Sequence, residues 1–164
     1  MKYTAAAVGK GFWYLEFDKI LGYKKNGYQD QDLRRLQEDE NILNMRSKSM
    51  SSKAIGETIK RANILPEGIV TIYDDLPLNN KKLVNVIAIM MTDRLLFELV
   101  YEVYREKLRM GDDIFDIRVV EIFIRNKSEE EKEVADYKDV TKRRLAGAYK
   151  TYMTEAGLLE ENKP

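Results

Sequence analysis

The 164-residue chain has no cysteine and no histidine. That absence removes disulfides, thiol nucleophiles, the common zinc ligand sets and the usual general base near neutral pH. A chain with no disulfides is read as suited to a reducing cytoplasm. Long apolar runs are missing too. The most apolar stretch, Leu83 to Met91, is nine residues long and includes Asn85, whereas a bilayer span needs about 20 residues. It reads as a buried core helix, and no membrane partner is expected. The opening MKYTAAAVGKGFWY offers only about five small or weakly apolar residues in a row, too few for the core of a secretion signal. It reads as mature sequence.

Net charge is absent as well: Lys plus Arg equals Asp plus Glu at 28 each. The whole molecule is therefore not drawn to nucleic acid or anionic lipid, and any attraction must come from local patches. Such patches are present. Residues 28–40 and 129–136 are acidic, whereas 45–62 and 138–150 are basic. The basic stretch MRSKSMSSKAIGETIKRA, Met45 to Ala62, gathers five bases and one acid. Ser47, Ser49, Ser51 and Ser52 stand where a helix should start, and Ile55, Ile59 and Ala62 form its inward stripe. Hydroxyls and free amides at a helix start, with Arg46, Lys48, Lys53, Lys60 and Arg61 around them, suit phosphate oxygens. A solvated lysine-rich face is the competing reading.

Only three prolines, few turn clusters and repeated i, i+3, i+4 apolar spacing predict an all-α protein of 164 residues in one domain, with lobes over 1–66 and 78–164 as a subdivision. Helices are expected over 11–23, 30–40, 52–63, 116–125 and 139–156. A further helix should open with the Ser128 and Glu131 capping-box pattern. The segment 80–109 reads as the long axis of the fold, either one helix or two with Thr92 or Asp93 capping the second. The helices at 30–40 and 52–63 make a helix-turn-helix-like amino-terminal part. Ile69 to Tyr73 is the exception. Its β-branched run reads as a short strand or an extended connection, the latter with room for a helical turn. Gly157 is placed to end the last helix as a left-handed cap, with Leu158 folding back.

Several motifs recur in order: Tyr3-Thr4, Asn41-Ile42-Leu43, Arg46, the serine cluster and Arg61, then Phe97-Glu98, Tyr104-Arg105-Glu106-Lys107, Thr141 ahead of Leu145, and a closing Ala156-Gly157-Leu158-Leu159. In this order the sequence resembles the BrxA family of bacteriophage-exclusion (BREX) systems over nearly its whole length. The resemblance implies a compact helical protein likened to the antitermination factor NusB. It also implies binding of double-stranded DNA, without known enzymatic activity, alongside other proteins of a phage-defence system. A short carboxy-terminal tail and zero net charge depart from the family pattern.

The leading expectation is a non-catalytic DNA-binding accessory protein that needs no cofactor. Its first contact surface is Arg46, Lys48, Ser51, Lys53, Lys60 and Arg61, and its second is Lys138, Lys142, Arg143, Arg144 and Lys150. With no evident set of base-reading Asn or Gln on the basic helix, contacts should fall mainly on phosphates. The alternative is a protein adaptor using the charge blocks, with Tyr14, Tyr28, Tyr101 or Tyr104 as an aromatic anchor. An enzyme would have to rely on groups such as Asp74-Asp75 or Asp112-Asp113 to hold magnesium, and helix capping explains both pairs better.

Overall fold

The computed structural model describes residues 1–160. Their regular structure is helical, with no strand among the described residues: α1 Tyr14–Lys25, α2 Asp30–Glu40, α3 Lys48–Ile64, α4 Glu67–Ile72, α5 Leu78–Met90, α6 Arg94–Glu98, α7 Arg105–Met110, α8 Ile117–Glu130, α9 Lys132–Ala135 and α10 Asp139–Glu155. The chain divides into two units. Phe12–Ala88 form one, and Met1–Gly11 with the described residues from Ile89 onward form the other.

In the Phe12–Ala88 unit, α3 packs on α1 and α2. The apolar stripes meet there: Phe17, Ile20 and Leu21 from α1, Leu33 from α2, and Ala54, Ile55 and Ile59 from α3 are buried in one cluster. The first helix begins at Tyr14, three residues later than the spacing predicts, because Trp13 takes a left-handed backbone conformation (φ 48). That geometry costs a residue with a Cβ roughly 1–2 kcal/mol. The neighbouring Phe12 carbonyl is fixed by two buried donors, Arg61 Nη1 at 2.5 Å and Asn85 Nδ2 at 2.7 Å. Asn85, the one polar residue in the apolar run, is thus a backbone anchor.

Ile69 to Tyr73 form neither strand nor extended connection. They lie in α4 and the single 3₁₀ turn Tyr73–Asp75 that follows. Leu65 ahead of Pro66 is extended (ψ 135), which ends α3, and Glu67 then opens a new helix. Tyr73 is buried, meets Phe17 edge-on at 6.1 Å and donates to Asp18 at 2.9 Å.

In the other unit α8 packs on α9 and α10. Asp93 breaks the long segment by accepting the Leu96 amide at 3.1 Å, so α6 starts afresh after α5. From Arg94 to Met110 the chain stays helical through a π turn at Leu99–Tyr104. The wider turn shifts the phase of later residues. Leu96 and Leu99 are fully buried, while Val103, inside the wider turn, is half-buried. Ser128 does not open a helix. Its hydroxyl donates to the Ile124 carbonyl at 2.8 Å inside α8, which runs on to Glu130. The last helix ends as expected: Gly157 (φ 79) donates to Thr154 O at 3.0 Å and Leu158 N to Met153 O at 2.9 Å, the paired bonds of a Schellman motif.

Candidate nucleic-acid interface

The α2–α3 pair carries the first basic set. Two side-chain contacts fix the pair at its ends. Gln37, 3% exposed on α2, donates to Ser51 Oγ at 2.6 Å near the start of α3, and Asn63 at its end donates to Asp30 Oδ2 at 2.9 Å. Gln37 also organises the connection 41–47, accepting the Leu43 amide at 2.9 Å and donating to Asn41 Oδ1 at 2.8 Å. Asn41 and Asn44 make the bend with left-handed φ values of 48 and 52. The connection is shorter than the sequence suggests because α3 starts at Lys48, where Ser47 caps it by accepting the Met50 amide at 3.2 Å.

A groove of about 630 Å³ opens between the two helices and their connection. Met45 and Ile55 supply its apolar surface, and Arg34, Arg46 and Lys48 supply its positive charge. Lys53 and Lys60, seven positions apart, share the outer face of α3, opposite the buried stripe. Arg46, Lys48, Lys53 and Lys60 are exposed, and no ion pair engages any of them among the described residues. The rise from Lys48 to Lys60 is roughly 18 Å, enough to cross a major groove of about 12 Å.

Two members of the predicted set belong elsewhere. Arg61 is a correction: it is 2% exposed, bonded to Phe12 O, 3.5 Å from Asn85 Oδ1, and 5.9 Å from the Trp13 ring centre. A side chain committed to the core cannot meet a phosphate. Ser51 is half-buried and its oxygen accepts from Gln37. Its role is to hold α2 to α3.

Sequence reasoning missed Arg34. It lies within the acidic block 28–40, yet it is three positions from Gln37 and so on the side of α2 that turns toward α3. That spacing was the available signal.

The second basic set is spread around α10. Arg143 and Lys150 share one flank, Arg144 lies on the other side of the buried stripe of Leu145, Tyr149 and Tyr152, and Lys138 precedes the first turn. Lys142 is half-buried and donates to the Ala135 carbonyl at 3.3 Å. The helix therefore brings together Arg143 and Lys150 and leaves Arg144 apart.

The aspartate pairs have local duties. Asp74 pairs with Lys25, which holds its carboxyl below the usual range, and Asp112 is held low by Lys107 and by the Ile114 amide. No group of three or more Asp or Glu side chains is placed to hold a metal ion among the described residues. No helix there is long and apolar enough to cross a membrane.

No solved structure matches the chain. A curated relative, the BREX protein BrxA of Bacillus cereus (strain H3081.97), is 26% identical over 161 residues, which is 98% of this chain and 80% of that protein. The family model of BrxA matches residues 1–164, and the chain belongs to the BrxA family.

Proposed function

We propose that this protein is a non-catalytic accessory component of a BREX phage-defence system that binds double-stranded DNA, mainly through its phosphates. The observation that carries the reading is the set of exposed cations on the connection into α3 and on its first turn and outer face, Arg46, Lys48, Lys53 and Lys60. Arg34 adds to them across the groove. With no evident set of base-reading Asn or Gln beside these cations, affinity should depend steeply on salt and weakly on sequence. Arg143 and Lys150 on α10 form a smaller second candidate. The BREX relative supports other defence-system proteins as partners.

The test is a salt titration of binding to duplexes of unrelated sequence. Affinity should fall linearly on a log–log plot with the same slope for each duplex. Tight binding that is indifferent to salt would refute the reading. The adaptor reading is favoured by one observation, the exposed stack of Phe97 on Tyr101 (5.7 Å between ring centres) with Arg105 3.7 Å over Tyr101. Co-purification with defence-system partners that survives nuclease treatment, combined with no duplex binding, would select it.

A further inference from the structure

The connection between α7 and α8 is fixed by its own polar groups and leaves apolar side chains outside. Gly111 ends α7 at φ 68, a conformation glycine adopts at little cost, and the Asp112 amide returns to the Lys107 carbonyl at 2.9 Å. Asp112 accepts the Ile114 amide at 3.0 Å and pairs with Lys107. Asp116 caps α8, accepting the amides of Arg118 and Val119 at 2.9 and 3.3 Å. On the facing side Tyr104 donates to the Leu158 carbonyl at 2.7 Å and meets Phe115 edge-on at 5.8 Å.

These contacts enclose a groove of about 470 Å³. Leu108 and Ile114 line it and are 57% and 70% exposed. Phe115 and Leu158 continue the apolar wall. Four carboxylates, those of Asp112, Asp113, Asp116 and Glu160, stand around it against one lining cation, Lys107.

We propose that this groove docks a lysine- and arginine-bearing segment of a partner protein. An apolar side chain of the segment seats against Leu108, Ile114 and Phe115, and its cations face Asp113 and Glu160, since Asp116 is engaged by Arg118 at 3.3 Å. The apolar wall explains why a segment gains by entering, since Leu108 at the end of α7 and Ile114 on the fixed loop lose their exposure to water when covered. The carboxylate rim sets the sign of the occupant and disfavours DNA or anionic lipid, whose phosphates it repels. The groove and the basic face of α3 therefore serve chemically opposite partners, and neither requires the other.

Fluorescence anisotropy with the full chain tests this. Three dye-labelled peptides of equal length serve as probes: lysines flanking two central leucines, the same lysines flanking serines, and glutamates flanking the leucines. Saturable binding of the lysine–leucine peptide alone is expected. It should weaken about tenfold in Ile114→Asp and in the double variant Asp113→Asn with Glu160→Gln, roughly what losing a central anchor costs. Both variants alter exposed positions and should keep the wild-type circular dichroism. Equal binding of the serine peptide, no binding of the lysine–leucine peptide, or undiminished binding by Ile114→Asp would each overturn the proposal. So would self-association in sedimentation that Ile114→Asp abolishes, because the occupant would then be a second copy of the chain.

Discussion

Arg61 on α3 and Lys127 on α8 are 2% and 8% exposed, one in each unit, and they are buried for different reasons. Arg61 holds a backbone position: with Asn85 it fixes the Phe12 carbonyl beside the left-handed Trp13. Lys127 serves other side chains. It reaches Glu98 and Glu102 at 3.0 Å and Glu130 at 3.8 Å, while Glu98 also takes Arg94 at 2.8 Å and the Tyr3 hydroxyl at 2.9 Å. The first arrangement is set by shape, and a guanidinium stays charged at any ordinary pH. The second is set by charge and should respond to pH.

Breaking the Arg61 contact should have the largest effect. Arg61→Ala removes donors from buried acceptors and leaves space in the core, and it should destabilise the protein by about 3–4 kcal/mol. Urea denaturation measures this. Combined with Asn85→Ala the losses should be non-additive, because both side chains hold the same carbonyl. A loss below about 0.5 kcal/mol would return Arg61 to the surface.

Lys127→Met should cost less, about 2 kcal/mol, since Arg94 and Tyr3 remain on Glu98. Its signature lies in pH. Burial works against the Lys127 charge, but bonds to Glu102 and Glu98 outweigh it and raise the ammonium pKa above its ordinary 10.5. Burial would likewise raise Glu98, yet Lys127, Arg94 and Tyr3 hold it below 4.5. The raised lysine contributes stability that is complete below 10.5 and lost as pH climbs through its folded value. The depressed glutamate contributes stability present above 4.5 and lost as pH falls through its folded value. Thermal melts of the wild type should thus show a plateau between these limits, and Lys127→Met should soften both edges.

Asp93 sharpens the contrast from within the same unit. It is 5% exposed, caps α6 and accepts Tyr149 Oη at 2.8 Å, and burial pushes its carboxyl above 3.8 despite those bonds. A raised acid favours the fold at low pH, and that advantage fades as pH rises from 3.8 through the folded value. Asp93→Asn keeps an oxygen acceptor and removes the buried charge. On going from pH 4 to pH 7 the variant should gain melting temperature relative to the wild type, an effect below that of Lys127→Met. An unchanged difference would mean that the Asp93 charge carries no cost.

Much of this fold was legible where a local rule and tertiary packing agree. Helix α2 matches its predicted span, Asp93 caps as its position suggests, and Gly157 closes α10 because the left-handed ending demands it. Legibility failed where burial overrode the local signal. The β-branched Ile69–Tyr73 run reads as a short strand or an extended connection with room for a helical turn, yet Glu67 after Pro66 starts a full helix and Tyr73 finds a core partner. Ser128 has the residue type of a cap, but Lys127 is buried among carboxylates inside α8 and the helix passes through it. In the candidate site, Lys53 and Lys60 were legible as positions off the apolar stripe. Arg61 was not, because it sits at the stripe's edge and the Phe12 carbonyl that it meets in the core lies far away in the sequence.

The smallest expected effect on the fold is also the test of its proposed use. Lys53 and Lys60 share the outer face of α3, away from Ala54, Ile55, Thr58 and Ile59, so replacing both by Ala should leave the melting temperature unchanged. If each lysine neutralises one phosphate, the double variant should lower the magnitude of the log–log salt slope by about two. The affinity lost should be the same on unrelated duplexes, because phosphate contacts carry no sequence. A loss confined to one sequence would place a base contact on α3. An unchanged slope with intact melting would remove α3 from the interface and leave Arg143 and Lys150 on α10 as the pair to replace next. Loss of binding together with a lowered melt would make the two lysines structural, as Arg61 already is.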